Sequence, residues 1–232
     1  MNNEIINEFS DQYIQLIKNE FSKKYKLKIT NFLNNEFAEK IFKESFLEKN
    51  WVLATGIDKI KYEKKHSVEN DKINQLQIKN VNKAFGKGSF TYIFYRSMNN
   101  QNMSYIEFSI RKTLNSEFFI NFLNNITGLQ LTKLNTLFLS KYKSGSFLSP
   151  HSDKGNGTLA FVINLTKFWK PQYGGNLCFM NEDRTEIIDT IVPEFNSFFI
   201  FHVPEEKGIP HFVSHIAPNI EHSRFAITGW FA

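Results

Sequence analysis

Past residue 135 the apolar residues fall in short bursts separated by turn residues. Leu137-Phe138-Leu139-Ser140-Lys141-Tyr142 alternates as a strand does, and Thr158 to Leu165 is the continuous apolar run of a buried strand. Leu177-Cys178-Phe179-Met180, Ile187 to Ile191, Ser197 to Phe201, His211 to Ile216 and Arg224 to Phe231 follow at near-regular spacing. Gly174-Gly175 reads as a hairpin turn before Leu177. Many short strands with turn signals between them imply an antiparallel sandwich or barrel. A jelly roll of this kind brings the ends of distant strands to one mouth.

The first half is patterned differently. Ile6, Phe9, Tyr13, Leu16 and Ile17 recur at three- and four-residue steps, which predicts an amphipathic helix. A second helix is predicted through Phe37, Ile41 and Phe46, with an asparagine cap at Asn34 or Asn35. Trp51 to Thr55 reads as a strand leading into the core, and residues 58–82 are polar and weakly patterned. Lys83 to Ser89, with glycines at 86 and 88, reads as a mobile loop, followed by strands around 90–95 and 105–110. Ser116 to Ile126 is expected to be a helix closed near Gly128.

Composition bounds the class. A chain of 232 residues can bury one sizeable core, and 41% hydrophobic content is ordinary for a globular protein. There are neither repeats nor a clear linker, so one unit spanning 1–232 is expected. The 25 phenylalanines, with many Lys, Asn and Ile residues, suggest an AT-rich genome as much as a physical need. One cysteine, Cys178, excludes an intrachain disulfide and fits a reducing cytoplasm. No apolar run approaches a membrane span, and Met1-Asn2-Asn3-Glu4 lacks the basic start of a secretory signal. The net charge of +5 permits an acidic or nucleic-acid partner without demanding one. Its lysine clusters are interleaved with glutamates, so a nucleic-acid partner is not expected. The oligomeric state is not encoded in any motif.

Candidate chemistry enters at His151-Ser152-Asp153. If residues 147–153 are extended, side chains 151 and 153 point to one face, as two ligands of one ion must. A histidine on a later strand, His211 or His215, supplies a third ligand, and Arg224 follows. Two imidazoles and one carboxylate leave metal positions open for co-substrate and oxygen, the arrangement of non-haem Fe(II) oxygenases. His66, His202 and His222 have no motif around them.

Five blocks in order make the pattern specific. They are Tyr142 with Phe147 to Asp153; Leu165, Trp169 and Gly174 to Leu177; Pro193 to Asn196 with Phe199 to Phe201; Pro210 to Val213; and Arg224 to Trp230. On these blocks the stretch from about Asn135 to Ala232 resembles the catalytic core of the Fe(II)/2-oxoglutarate-dependent dioxygenases, in the prolyl 4-hydroxylase-like branch. The implied fold is α+β but mainly β. It is a double-stranded β-helix (jelly-roll) core over 135–232, with the helices of 1–134 packed on the major sheet as scaffold and substrate cover.

The resemblance implies Fe(II), 2-oxoglutarate and O2, with ascorbate as a candidate reductant. In the family pattern the metal histidine is followed two residues later by valine. His211-Phe212-Val213 fits this and His215-Ile216-Ala217 does not, so the implied triad is His151, Asp153 and His211. Arg224 is the implied anchor of the distal carboxylate, since a guanidinium offers a planar fork that a lysine lacks. Tyr142, Asn164 and Thr228 match positions lining the co-substrate pocket. Trp169 and Trp230 read as core or pocket wall. With Arg96 and Tyr92, they are also the candidates for substrate contact.

The departures discriminate among relatives. Related halogenases have a small residue where Asp153 stands. Nucleic-acid demethylases carry a second arginine where this chain has Trp230. The expected reaction is hydroxylation of an unactivated carbon, first of a prolyl residue in a protein or peptide. A free amino acid or a peptide natural product is the alternative substrate. A non-catalytic double-stranded β-helix binding module is the alternative of another class.

Overall fold

In the computed structural model, which describes residues 5–47, 51–64, 72–97, 105–206 and 208–232, helices and strands first mix and strands then dominate. The order is α1 (Asp11–Lys24), β1 (Lys26–Ile29), α2 (Asn35–Leu47), β2 (Trp51–Ile57), β3 (Ile60–Lys64), α3 (Lys72–Phe85), β4 (Thr91–Ser97), α4 (Tyr105–Leu114) and α5 (Glu117–Thr127). The strands β5 (Leu134–Tyr142), β6 (Phe147–His151), β7 (Leu159–Asn164), β8 (Leu177–Met180), β9 (Ile187–Ile191), β10 (Ser197–His202), β11 (His211–Val213) and β12 (Arg224–Phe231) follow.

Two walls of antiparallel strands form the core. One runs β1-β10-β7-β12-β5 and the other β6-β11-β8-β9. Strand β4 joins them, because Tyr95 and Arg96 pair with β5 while Tyr92 and Ile93 pair with β6. At the opposite ends of this order, Lys26 of β1 and Asp189 of β9 form an ion pair. The sheet thus curls into the double-stranded β-helix that the strand spacing and the resemblance predict.

Alternation sorts each strand into two faces. Phe161 and Ile163 of β7, Phe198 and Ile200 of β10, and Phe225, Ile227 and Phe231 of β12 point outward and are all buried. They pack with Ile17 and Phe21 of α1 and Phe119, Ile120 and Leu123 of α5 in one apolar cluster. The N-terminal helices therefore cover the major sheet, as expected. The intervening residues Ala160, Phe199, Phe201 and Tyr142 face the space between the walls, where they meet Leu177, Phe179 and Val213 of the second wall.

Local chemistry sets the helix limits. Ser10 caps α1 by accepting from the Tyr13 N–H, and Ser116 caps α5 through the Phe119 N–H. Gly128 ends α5 in the left-handed region at φ 72°. In α2, Asn34 is the capping asparagine, its Oδ1 accepting from the Glu36 N–H.

Several expectations are corrected. The helical pattern beginning at Ile6 overruns the true start at Asp11, and Ile6 instead bridges Leu33. Residues 105–110 form helix α4 rather than a strand, with Ile110 and Leu114 buried one turn apart. The weakly patterned stretch 58–82 contains β3 and most of α3, and Lys83 to Phe85 close that helix rather than opening a loop. Strand β11 ends at Val213, short of His215. Gly174-Gly175 is no hairpin turn: β7 pairs with β10 and β12, whereas β8 pairs with β9 and β11. The glycines lie on a crossover between the walls.

Candidate active site

Strands β6 and β11 are neighbours, and their register sets His151 directly opposite His211. The imidazole ring centres lie 4.4 Å apart. Asp153, two residues beyond the end of β6, returns to the same face. Its Oδ1 is 3.3 Å from His151 Nε2 and its Oδ2 is 3.4 Å from His211 Nε2. One ligand atom from each side chain lies within 4.8 Å of the others. His215 is elsewhere: its ring stacks on Phe147 at 3.9 Å and meets the edge of Phe85. His202 sits against Tyr25 on the β1 side, His222 is exposed, and His66 lies outside the described residues.

The proton positions follow from the partners. His151 Nδ1 lies 3.0 Å from the Ser149 carbonyl and His211 Nδ1 2.9 Å from the Ile209 carbonyl. A carbonyl only accepts, so each Nδ1 carries a hydrogen, and in the neutral ring each Nε2 then presents a lone pair. Both lone pairs face the Asp153 carboxylate, which is 6% exposed. Burial raises the Asp153 carboxyl, and hydrogen bonds and charge from protonated imidazoles would hold it well below the ordinary carboxylate range; with both Nε2 atoms unprotonated, a bound cation has to supply that stabilisation instead. Two imidazole lone pairs against a carboxylate repel one another unless a cation stands among them. Nitrogen and oxygen donors with open positions suit Fe(II), so the residues fit that ion.

A cavity of about 540 Å³ opens from this triad between the two walls. Arg224, 4% exposed, is the cation lying deep in it. Its Nη2 donates to Asn164 Oδ1 at 3.2 Å, and its guanidinium lies 5.2 Å from the Tyr142 ring centre. Arg224 Nε is buried without a partner. A buried guanidinium lacking a carboxylate is costly, and burial lowers its pKa. An anion entering the cavity would relieve that cost, so the site fits a dicarboxylate co-substrate as well as the metal.

The other expected residues separate into two groups. Tyr142, Thr228, Trp230, Arg96 and Tyr92 line the cavity. Burial pushes the Tyr142 phenol up to about 12, with Arg224 opposing and Asp153 adding to the shift, so it remains a neutral donor. Asn164 does not line the cavity. It stands behind Arg224 and is held by its own bond to Ser197 Oγ. Trp169 is also outside, its indole donating to the Gly174 carbonyl. Sequence reasoning missed Lys61 and Arg184 as cavity residues. Lys61 lies in the stretch without clear period and Arg184 in the β8–β9 turn, where no local signal marks them. Phe90 and Phe138 were also missed, though the alternation of β5 places Phe138 on the face of Tyr142.

Comparison with known proteins agrees with this geometry. The profile of the 2OG-Fe(II) oxygenase superfamily matches residues 137–232. A mouse protein named prolyl 3-hydroxylase OGFOD1 is 28% identical over 145 residues, which is 60% of this chain and 26% of the mouse protein. The match thus spans about a quarter of that relative's length. Among solved structures, a Pseudomonas putida prolyl-4-hydroxylase superposes with a TM-score of 0.61 at 14% identity, covering 94% of this chain and 97% of that one. A Trichoplax adhaerens prolyl hydroxylase, solved with a hypoxia inducible factor peptide fragment, gives 0.53 at 14% identity, covering 95% and 89%. At such identities the superpositions speak for the fold. No helix among the described residues is long and apolar enough to cross a membrane.

Proposed function

We propose that the chain, whose residues 137–232 match the profile of the 2OG-Fe(II) oxygenase superfamily, is an oxygenase of that kind and hydroxylates a prolyl residue of a peptide or protein. The carrying observation is the pair of Nε2 atoms turned onto the Asp153 carboxylate beside a buried guanidinium with an unpartnered Nε. A binding-only module has no need of that costly combination.

His151, Asp153 and His211 hold the ion. Fe(II) bound there supplies the chemistry that couples oxidative decarboxylation of 2-oxoglutarate by O2 to hydroxylation of a carbon, with one oxygen atom going to succinate and one to substrate. The Ser149 and Ile209 carbonyls fix the ring orientations and favour the Nδ1–H tautomer, which presents each Nε2 to the ion. Arg224 holds the distal carboxylate of 2-oxoglutarate, and Asn164 orients the guanidinium from behind. Tyr142 and Thr228 donate hydrogen bonds to the same co-substrate. Trp230, Tyr92 and Phe94 form an aromatic wall that excludes water and positions the substrate carbon. The helices of residues 1–134 belong to the same functional unit, as cover for the major sheet. A reducing, cytoplasmic setting fits the single, buried Cys178.

The prolyl assignment draws on the relatives' names and on the peptide complex of the Trichoplax neighbour. Purified protein with Fe(II), 2-oxoglutarate and air should release succinate and CO2. A mass-spectrometric screen of proline-containing peptides and free amino acids should then find a gain of one oxygen on a peptide. Absence of 2-oxoglutarate turnover would end the oxygenase reading. Oxygen gained by free amino acids only would end the peptide reading.

A further inference from the structure

Behind the His151–Asp153–His211 triad the two walls meet along one line of side chains. On the second wall, Asp189 of β9 stands opposite Phe179 of β8, Phe179 opposite His211 of β11, and His211 opposite His151 of β6. Directly opposed residues share a face, so this row points one way, toward the space between the walls. On the first wall, Lys26 of β1 stands opposite Phe201 of β10. The two rows join at their ends, where Lys26 Nζ pairs with the Asp189 carboxylate. Strands β1 and β9 are the two ends of the strand order, so this ion pair bridges the seam of the curled sheet.

Two phenyl rings stand between the ion pair and His211. Phe179 and Phe201 meet edge to face at 5.2 Å. Their centres lie 5.8 Å and 4.9 Å from that of the His211 imidazole. The Lys26 ammonium lies over the Phe179 ring, 4.8 Å from its centre. The Ile209 carbonyl holds His211 Nδ1, and a single hydrogen bond leaves an imidazole free to tilt about it. The two rings remove that freedom, and the ion pair backs the rings. With side chains 21% and 35% exposed, Lys26 and Asp189 contribute little to global stability as a pair. Their effect depends on what they back.

We infer that Lys26 and Asp189 are positioning residues for the metal site: their ion pair clasps the two walls behind Phe179 and Phe201 and so holds His211 at the ion. This deepens the function proposed above and rests on its metal site. It also ties the N-terminal strand β1 to chemistry carried by the C-terminal half. Charge alone would act differently. Removing the Lys26 cation would favour a bound cation, and removing the Asp189 anion would disfavour it. Positioning makes both removals weaken binding.

Calorimetric and absorption titrations with Co(II) test the clasp. This ion takes the same nitrogen and oxygen donors as Fe(II), and its spectrum reports ligand geometry. The Lys167–Glu39 pair is the matched control. Its side chains are 26% and 38% exposed, and the Lys167 ammonium lies 5.1 Å from the Phe195 ring centre, a ring packed on the outer cluster. Lys26→Gln and Asp189→Asn should each weaken Co(II) binding by about fivefold, less than the ten- to hundredfold that follows loss of a ligand's direct hydrogen-bonding partner. Each should also alter the bound-ion spectrum. Glu39→Gln should leave affinity and spectrum as in the wild type. Lys26→Arg should restore most of the affinity, and so should Lys26→Asp combined with Asp189→Lys. Denaturant midpoints, taken alongside, confirm that each titrated variant is folded. Tighter binding in Lys26→Gln with weaker binding in Asp189→Asn would reduce the pair to its charges and overturn the inference. Unchanged affinity and spectrum in both variants, or an equal loss in Glu39→Gln, would overturn it as well. A wild type that takes up no Co(II) would end the metal reading and this inference together, whereas a bound ion indifferent to the pair ends this inference alone.

Discussion

His151 and His211 are cross-strand partners, sixty residues apart in sequence and 4.4 Å apart between ring centres. The pairing of β6 with β11 therefore does more than hold the second wall together: it sets the two imidazoles at one height above Asp153. Replacing either histidine removes one donor and leaves Asp153 with one. His211→Ala should weaken Fe(II) binding by roughly a hundredfold or more, beyond the ten- to hundredfold typical of losing only a supporting partner, and abolish turnover. His215→Ala should leave the metal affinity near that of the wild type, because its ring is stacked on Phe147 instead. Anaerobic calorimetric titration of Fe(II) into each variant decides the assignment. Loss of binding in His215→Ala with retention in His211→Ala would sink it.

In the proposed site Arg224 and Asn164 act on the co-substrate in series. A charge-assisted hydrogen bond contributes on the order of 1.5–3 kcal/mol, and a neutral one about 0.5–1.5 kcal/mol. Arg224→Ala should raise the 2-oxoglutarate KM by about one to two orders of magnitude while Fe(II) binding persists. Asn164→Ala should raise it by roughly two- to tenfold, since it loosens the guanidinium without removing it. The KM for 2-oxoglutarate in each variant checks the order. Equal effects, or none, would remove the relay.

The barrel half of the fold was legible because a half-buried strand writes its two faces into alternate residues. His151 and Asp153 were legible for the same reason, and His211 only through the order of the surrounding blocks. The N-terminal half was less legible, and α3 shows why. Its exposed positions include Ile73 at 52% and Leu76 at 57%, whereas Asn74 is buried at 2%. An apolar-face argument applied to that helix points the wrong way. Helix α4 was misread because Tyr105 and Phe108, both exposed, imitate the aromatic enrichment of a strand. Lys61 and Arg184 were invisible as cavity residues because tertiary pairing alone brings strand β3 and the β8–β9 turn to the cavity.

Tyr142 links the site to alkaline stability. Its phenol titrates near 10 when the chain is unfolded and is pushed up to about 12 when folded, first by burial. The folded state then binds the proton more tightly. Its stabilising contribution is complete below pH 10 and is lost as pH rises through 12. Two pH units correspond to about 2–3 kcal/mol. Denaturant unfolding of the wild type should show a fall in stability across that window that Tyr142→Phe lacks, after the shared contribution of the lysines is subtracted. Ultraviolet titration of phenolate absorbance would give the folded value directly. A Tyr142→Phe curve parallel to the wild type would contradict the burial argument.

Gly174 links the crossover between the walls to the Arg224 pocket. Its backbone lies at φ 77° and ψ −156°, a region that glycine alone occupies readily. A Cβ there would stand 1.9 Å from the His215 carbonyl oxygen, and one on Gly175 would stand 2.6 Å from Ile216 Cδ1 and 3.1 Å from Arg224 Cδ. The close approach is locked by the Gly175 N–H donating to the Ser214 carbonyl and by Trp169 Nε1 donating to the Gly174 carbonyl. Gly174→Ala must therefore displace the 214–216 segment or unseat the crossover. It should cost about 3 kcal/mol or more, the upper end for a forced backbone conformation with a backbone clash added. Gly175→Ala, which meets mainly movable side-chain atoms, should cost less in stability while raising the 2-oxoglutarate KM through its contact with Arg224. Denaturant midpoints read the first effect and co-substrate kinetics the second. A Gly174→Ala protein as stable as the wild type would show that the crossover has room that its contacts deny.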